Sequence, residues 1–116
     1  MFFETFRQTP LEDRQKISDN ILSQFHDRIP VVVDKTRECR LPEIEKHKYI
    51  IPSSNTVGSF IYELRKSIKM NSNEALIIFI NGAIPGTSRI IGTLYDMYKD
   101  DDGFLYITYT GENTFG

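Results

Sequence analysis

The segment that most constrains this chain is its last strand. Phe104-Leu105-Tyr106-Ile107-Thr108-Tyr109-Thr110 is dense in aromatic and β-branched residues and follows the turn Asp100-Asp101-Asp102-Gly103. This predicts a strand entered from an acidic, solvated turn. Both of its faces are apolar enough for the inside of a sheet. A sheet whose interior strand comes last must be completed by it, so the earlier elements have to leave a slot. Beyond it, Gly111-Glu112-Asn113-Thr114-Phe115-Gly116 is small and polar, with one aromatic before a glycine. Two readings follow: a frayed terminus, or a thin tail whose glycine carboxyl, free of any side chain, enters a narrow enzyme channel.

The upstream elements fit such a slot. Phe2, Phe3 and Phe6 give Met1 to Gln8 one apolar side, which predicts a short helix. Thr9-Pro10-Leu11-Glu12 has the form of a capping box with proline at the first helical position. It opens a helix carrying Ile17, Ile21, Leu22 and Phe25 at helical spacing and running to about Phe25. Arg28 to Asp34 predicts a strand with Pro30 near its start. Lys35 to Lys46 is polar and mixed in charge and predicts a long exposed loop, and Lys48 to Pro52 predicts a second strand antiparallel to the first. Asn55-Thr56 caps a helix whose Val57, Phe60, Ile61, Leu64 and Ile68 form the clearest amphipathic pattern in the chain. Leu76-Ile77-Ile78-Phe79-Ile80 is a short apolar run before Asn81-Gly82, hence a strand and a turn. Ser88 is placed to cap a last helix with Ile91, Leu94, Tyr95 and Tyr98 on one face.

Helix, helix, strand, strand, helix, strand, helix, strand is an α+β order. With the final strand inserted beside the first and parallel to it, the expected fold is a β-grasp: a four-stranded mixed sheet with two extra N-terminal helices. The expected organisation is one globular domain, with a helical extension over 1–27, the β-grasp over 28–110 and a flexible tail over 111–116.

Composition narrows the function. A net charge of -2 over 116 residues argues against a nucleic-acid partner. Most Lys and Arg precede Met70 while Asp96 to Asp102 is acidic, so a basic surface able to meet an acidic ligand is expected. Cys39 is the single cysteine, which fits a reducing, intracellular compartment. No apolar run approaches a membrane span, and Met1-Phe2-Phe3 lacks the flank of a signal peptide. Membrane association is therefore expected only through a partner or a modification. Cys39 with His26 and His47 matches neither a catalytic signature nor a zinc pattern, no phosphate-cradling glycine loop is present, and no enzymatic activity is expected. The strand Lys48 to Pro52 is the better candidate. As an exposed edge with Lys46, His47 and Lys48 beside Ile50 and Ile51, it is either an edge guarded by lysines or a template for an extended acidic-aromatic peptide.

Arg28-Ile29-Pro30-Val31-Val32, Leu41-Pro42-Glu43-Ile44-Glu45-Lys46-His47-Lys48-Tyr49, Thr56-Val57-Gly58-Ser59-Phe60, Lys99-Asp100-Asp101-Asp102-Gly103-Phe104-Leu105-Tyr106 and Gly111-Glu112-Asn113-Thr114-Phe115-Gly116 together resemble the GABARAP family, the ubiquitin-like modifiers of autophagy. The resemblance covers nearly the whole chain. It implies a ubiquitin-like β-grasp and a Gly116 activated by an E1-like enzyme, passed to an E2-like enzyme and joined to phosphatidylethanolamine. Thr114 and Phe115 would serve tail recognition, and a cysteine protease would process and delipidate the conjugate. It further implies a protein that is cytoplasmic when free and sits on autophagosomal and vacuolar or lysosomal membrane when lipidated, supporting membrane expansion and cargo selection. No cofactor is implied beyond the covalent lipid.

The resemblance also implies two pockets for an aromatic-x-x-aliphatic receptor motif. Ile17, Ile21, Pro30, Val32, Lys48, Ile50 and Phe104 match the aromatic pocket. Tyr49, Ile51, Pro52, Asn55, Phe60 and Glu63 match the aliphatic one, with Arg28 and Lys46 as a basic rim. Leu76, Ile77, Ile78 and Phe79 match a second, helix-binding surface. Ile17 departs from an acidic residue usual in the family, Asn55 and Glu63 depart from apolar ones, and the N-terminal phenylalanines depart from lysines. Alternatives to lipid conjugation are a modifier joined to protein lysines and a non-conjugated vesicle-trafficking adaptor.

Overall fold

The computed structural model describes residues 1–111. The elements are α1 (Phe2–Gln8), α2 (Leu11–Gln24), β1 (Arg28–Lys35), β2 (Lys48–Pro52), α3 (Val57–Ser67), β3 (Leu76–Ile80), α4 (Ile91–Tyr98) and β4 (Leu105–Gly111). The sheet order is β2-β1-β4-β3, so the last strand is interior, as its composition requires. β1 runs antiparallel to β2, pairing Ile29 with Ile51, and parallel to β4, pairing Val33 with Ile107. β3 closes the other edge antiparallel to β4, pairing Ile78 with Tyr109. This mixed sheet with helices on both faces is a ubiquitin-like fold.

Because strand side chains alternate, β1 supplies both faces. Val31 and Val33 join Phe60 and Leu64 of α3, Leu94 of α4, and Ile78, Ile107 and Tyr109 in the larger core. Val32 faces the opposite way, into a smaller cluster with Phe104 and Phe6, against which Phe2, Phe3, Ile21 and Tyr106 pack. The helical extension therefore buries apolar residues of its own against the sheet. Thr56 caps α3, accepting a hydrogen bond from the Ser59 amide at 3.1 Å. Asn81 and Gly82 after β3 both have positive φ, the geometry an Asn-Gly turn supplies cheaply.

Four sequence-based expectations are corrected. α2 has no side-chain cap: Pro10 is its N-cap, and the Thr9 carbonyl accepts from Arg14 Nε at 3.0 Å. Ser88 does not cap α4, because the Ile91 and Gly92 amides donate to the Asn55 and Ser53 carbonyls, which satisfy the first turn from outside. The loop between β1 and β2 is not an exposed one. Cys39, Leu41 and Ile44 in it are buried, and Tyr109 Oη donates to the Pro42 carbonyl and accepts from the Ile44 amide, tying the loop across β4. The acidic turn is not wholly solvated either. Asp102 is fully buried, with Arg14 Nη1 at 2.9 Å from its Oδ2 and the Phe104 amide donating to its Oδ1.

Candidate peptide-docking site

β2 is five residues long and lies at the sheet edge, with one side of its backbone paired to β1. Alternation puts Lys48 and Ile50 outward while Tyr49 and Ile51 turn toward α3. An edge strand flanked by apolar side chains on two faces can accept an added strand and take anchors on either side of it.

On the α3 side lies a cavity of about 260 Å³ lined by Lys46, Tyr49, Ile50, Ile51, Pro52, Asn55, Phe60, Glu63 and Ser67. Every residue matched in sequence to the aliphatic pocket lines it. Phe60 and Ile51 are buried, and the Tyr49 and Phe60 rings meet edge-on at 6.0 Å. Glu63, about which the sequence left most open, is on the cavity wall. Ser67 was missed, although it stands one helical turn after Glu63 and that spacing places it on the same face. Ile50, assigned by resemblance to the aromatic side, also lines this cavity.

The aromatic side is arranged differently. Val32 and Phe104 are fully buried, Pro30 is buried, and Ile17 and Ile50 are exposed. Phe6 of α1 packs edge-on against Phe104 with ring centroids 5.3 Å apart, and Lys48 Nζ lies 5.2 Å from the Phe6 centroid. Phe6 thus joins Val32, Phe104 and Lys48, and the residue that covers them was absent from the sequence-derived set. α1 is held there by several contacts. The Phe3 amide donates to Asp34 Oδ2 at 3.1 Å, Phe2 stacks on His47 at 4.3 Å, and Arg7 pairs with Asp100 at 3.2 Å while lying over the Tyr106 ring. On the rim, Arg28 is exposed with Nη1 3.5 Å from the Ile50 carbonyl, and Lys46 Nζ lies 5.1 Å from the Tyr49 ring centroid.

The β3 surface splits. Leu76 and Ile78 are core residues and cannot form a contact face, a correction to the four-residue match. Ile77 and Phe79 alternate to the other face. There Phe79 borders a cavity of about 560 Å³ with Phe3, Tyr106, Thr108 and Thr110. Gly116, Phe115 and Thr114 lie outside the described residues. Cys39 is buried in the larger core, and among the described residues no group of His, Cys, Asp or Glu could hold a metal ion.

A family model described as autophagy protein Atg8, ubiquitin-like, matches residues 13–116. The chain belongs to the Atg8 family. It is 50% identical over 107 residues to autophagy-related protein 8 of Pichia angusta, covering 92% of this chain and 86% of that one. It is 48% identical over 108 residues to autophagy-related protein 8 of Dictyostelium discoideum, covering 92% and 88%. Among solved structures, Trypanosoma brucei ATG8 superposes with a TM-score of 0.90 at 33% identity, covering 96% of this chain and 97% of that one. Plasmodium falciparum Atg8 in complex with a Plasmodium falciparum Atg3 peptide superposes with a TM-score of 0.80 at 34% identity, covering 90% and 92%. The GABARAP-like resemblance of the sequence is thereby established for the Atg8 family as a whole, and the chain is an autophagy ubiquitin-like protein.

Proposed function

We propose that this Atg8-family protein is conjugated through Gly116 to phosphatidylethanolamine and, once on the autophagic membrane, docks receptors along β2. The observation that supports docking most directly is the edge strand itself, with a cavity of mixed apolar and polar lining beside it and Lys46, Lys48 and Arg28 around it. A peptide with an aromatic residue, two spacers and a second anchor, preceded by acidic residues, matches that edge in backbone pairing and charge. The Atg3 peptide bound by the Plasmodium relative supports an E2-like partner for this chain. An E1-like enzyme and a processing cysteine protease complete the proposed cycle, in which the chain is substrate and scaffold rather than catalyst. Ile77, Phe79 and the cavity beside Phe79 are the proposed second surface for a helical partner. Localisation follows: cytosolic when free, autophagosomal and vacuolar or lysosomal when lipidated.

The intact mass of the membrane-bound form isolated from cells tests conjugation directly. A mass increment equal to phosphatidylethanolamine less one water supports the reading. An isopeptide to a lysine of another protein would replace it with protein modification, and an unmodified mass would replace it with a non-conjugated adaptor.

A further inference from the structure

The cavity between β2 and α3 is not wholly aliphatic in its chemistry. Ile51, Pro52 and Phe60 supply apolar wall, but Lys46, Asn55, Glu63 and Ser67 line it as well. The charges come from different sides: Lys46 precedes β2, while Glu63 and Ser67 belong to α3, one turn apart. Glu63 is already engaged, its Oε1 3.5 Å from Lys66 Nζ, and both side chains are more than half exposed. Lys46 Nζ lies near the Tyr49 ring face. The Tyr49 hydroxyl is buried with no hydrogen-bond partner among the described residues.

These walls disfavour the obvious occupants. A leucine side chain would cover Asn55 and Glu63 without returning a hydrogen bond, and a polar group that loses water unpaired weakens binding. A carboxylate would meet Lys46 favourably and Glu63 unfavourably, and an ammonium would meet the reverse. A primary amide carries an acceptor and two donors on one neutral group, and a two-methylene stem passes along Phe60 and Ile51. We propose that this pocket selects glutamine, not a branched aliphatic residue, as the last anchor of the docked motif, with Lys46 donating to the amide oxygen and Glu63 and Asn55 accepting from its nitrogen. The inference rests on the β2 docking proposed above. A cavity of about 260 Å³ holds one such side chain, and because glutamine and leucine differ little in bulk, polarity decides between them.

Titration calorimetry on the full-length protein with peptides identical except for Gln, Leu, Lys or Glu at the last anchor tests it. The glutamine peptide is expected to bind about tenfold more tightly than the leucine peptide, a difference of about 1.4 kcal/mol. The combined substitution Asn55→Leu and Glu63→Val should reverse that order. Both positions are surface-accessible, and an unchanged circular dichroism spectrum keeps the comparison valid. If leucine binds as well as glutamine in the unmodified protein, or if lysine or glutamate binds best, the inference is overturned while docking along β2 stands. If the preference for glutamine survives the double substitution, the assignment to Asn55 and Glu63 is wrong. If no peptide binds, the docking reading falls and this inference falls with it.

Discussion

Two buried polar groups show what residue identity alone conceals. Arg14 looks like one more cation on a charged helix, and Asp102 like one more carboxylate in a solvated turn. Folding brings them together across 88 positions of sequence, with side chains 9% and 0% exposed. Asp102 also accepts from Tyr106 Oη and the Phe104 amide, so its carboxylate is fully occupied. Gly103 follows at φ +85, where an added Cβ would lie 2.3 Å from Ser18 Oγ, which fixes why glycine stands there. No local pattern encodes such a pairing, because neither periodicity nor composition reports contacts between distant segments. Replacing Arg14 with Met strands a buried carboxylate and should cost about 3–5 kcal/mol of stability in urea unfolding. Arg14→Met with Asp102→Asn should recover part of that loss, since no charge is then left alone and the amide oxygen still accepts from the Phe104 N–H. The tyrosines of β4 add a pH limit. Burial, followed by the bond to Asp102, pushes Tyr106 up to about 12, and burial pushes Tyr109 up to about 12 despite its bond from the Ile44 amide. Both folded values exceed the ordinary value of about 10. The stability they confer is therefore whole below pH 10 and is lost as pH rises toward 12. Tyr109 is fully buried, so its share is on the order of 2 kcal/mol. An alkaline melting series should show the loss, and Tyr109→Phe, otherwise destabilising, should flatten it.

At the scale of elements the sequence was most legible where one face of one segment carried the signal. α3, β1 and β3 are amphipathic or continuously apolar within themselves, and their spans follow from their own residues. Helix starts were less legible, since α4 takes its cap from the 53–55 backbone rather than from Ser88. The loop from Lys35 to Lys46 misled because its apolar residues are spaced singly among charges, and their burial depends on β4 lying beneath them. The α3-side cavity was legible almost residue by residue, whereas the closure of the aromatic side was not. That closure needs α1, whose three phenylalanines showed only that it must pack somewhere. Phe6 packs against Phe104 with Lys48 beside its ring, so under the docking proposed above α1 would compete with an aromatic anchor for those two residues. An affinity measured with α1 in place is then reduced by the fraction of molecules whose site is open. Phe6→Ala should raise the affinity for a peptide bearing Trp or Phe severalfold while lowering stability by about 3 kcal/mol, as buried Phe truncations do. Calorimetry with the same peptide on both proteins checks it, and an unchanged or weaker affinity would show that Phe6 supports the pocket rather than competing for it.

At the scale of the whole molecule, one inference from composition carried furthest: the last strand had to be interior. The sheet order places β4 between β1 and β3, so the described residues end, at Gly111, on an interior strand. This separates the two proposed functions physically. Docking uses β2 at one edge, while conjugation uses a residue joined to β4, and Gly116 lies five residues beyond Gly111. Even fully extended, five residues span about 17 Å, so an enzyme acting on Gly116 must approach the end of the sheet where β4 stops. Among the described residues no helix is long and apolar enough to cross a membrane. Attachment through a diacyl lipid would supply about 0.8 kcal/mol per buried methylene, and two chains suffice for stable anchoring. Deleting Gly116 removes the reactive carboxyl from its position without touching a residue of either core cluster. The deletion should leave the melting temperature and the peptide affinity at β2 within error of the parent protein, because the sheet and its edge are intact. It should also keep the protein in the soluble fraction when autophagy is induced, whereas the parent chain should resist carbonate extraction and be released by detergent. Puncta from the deletion mutant that behave like the parent's in that fractionation would mean that the membrane is reached through a docked partner, and that Gly116 is not the point of attachment.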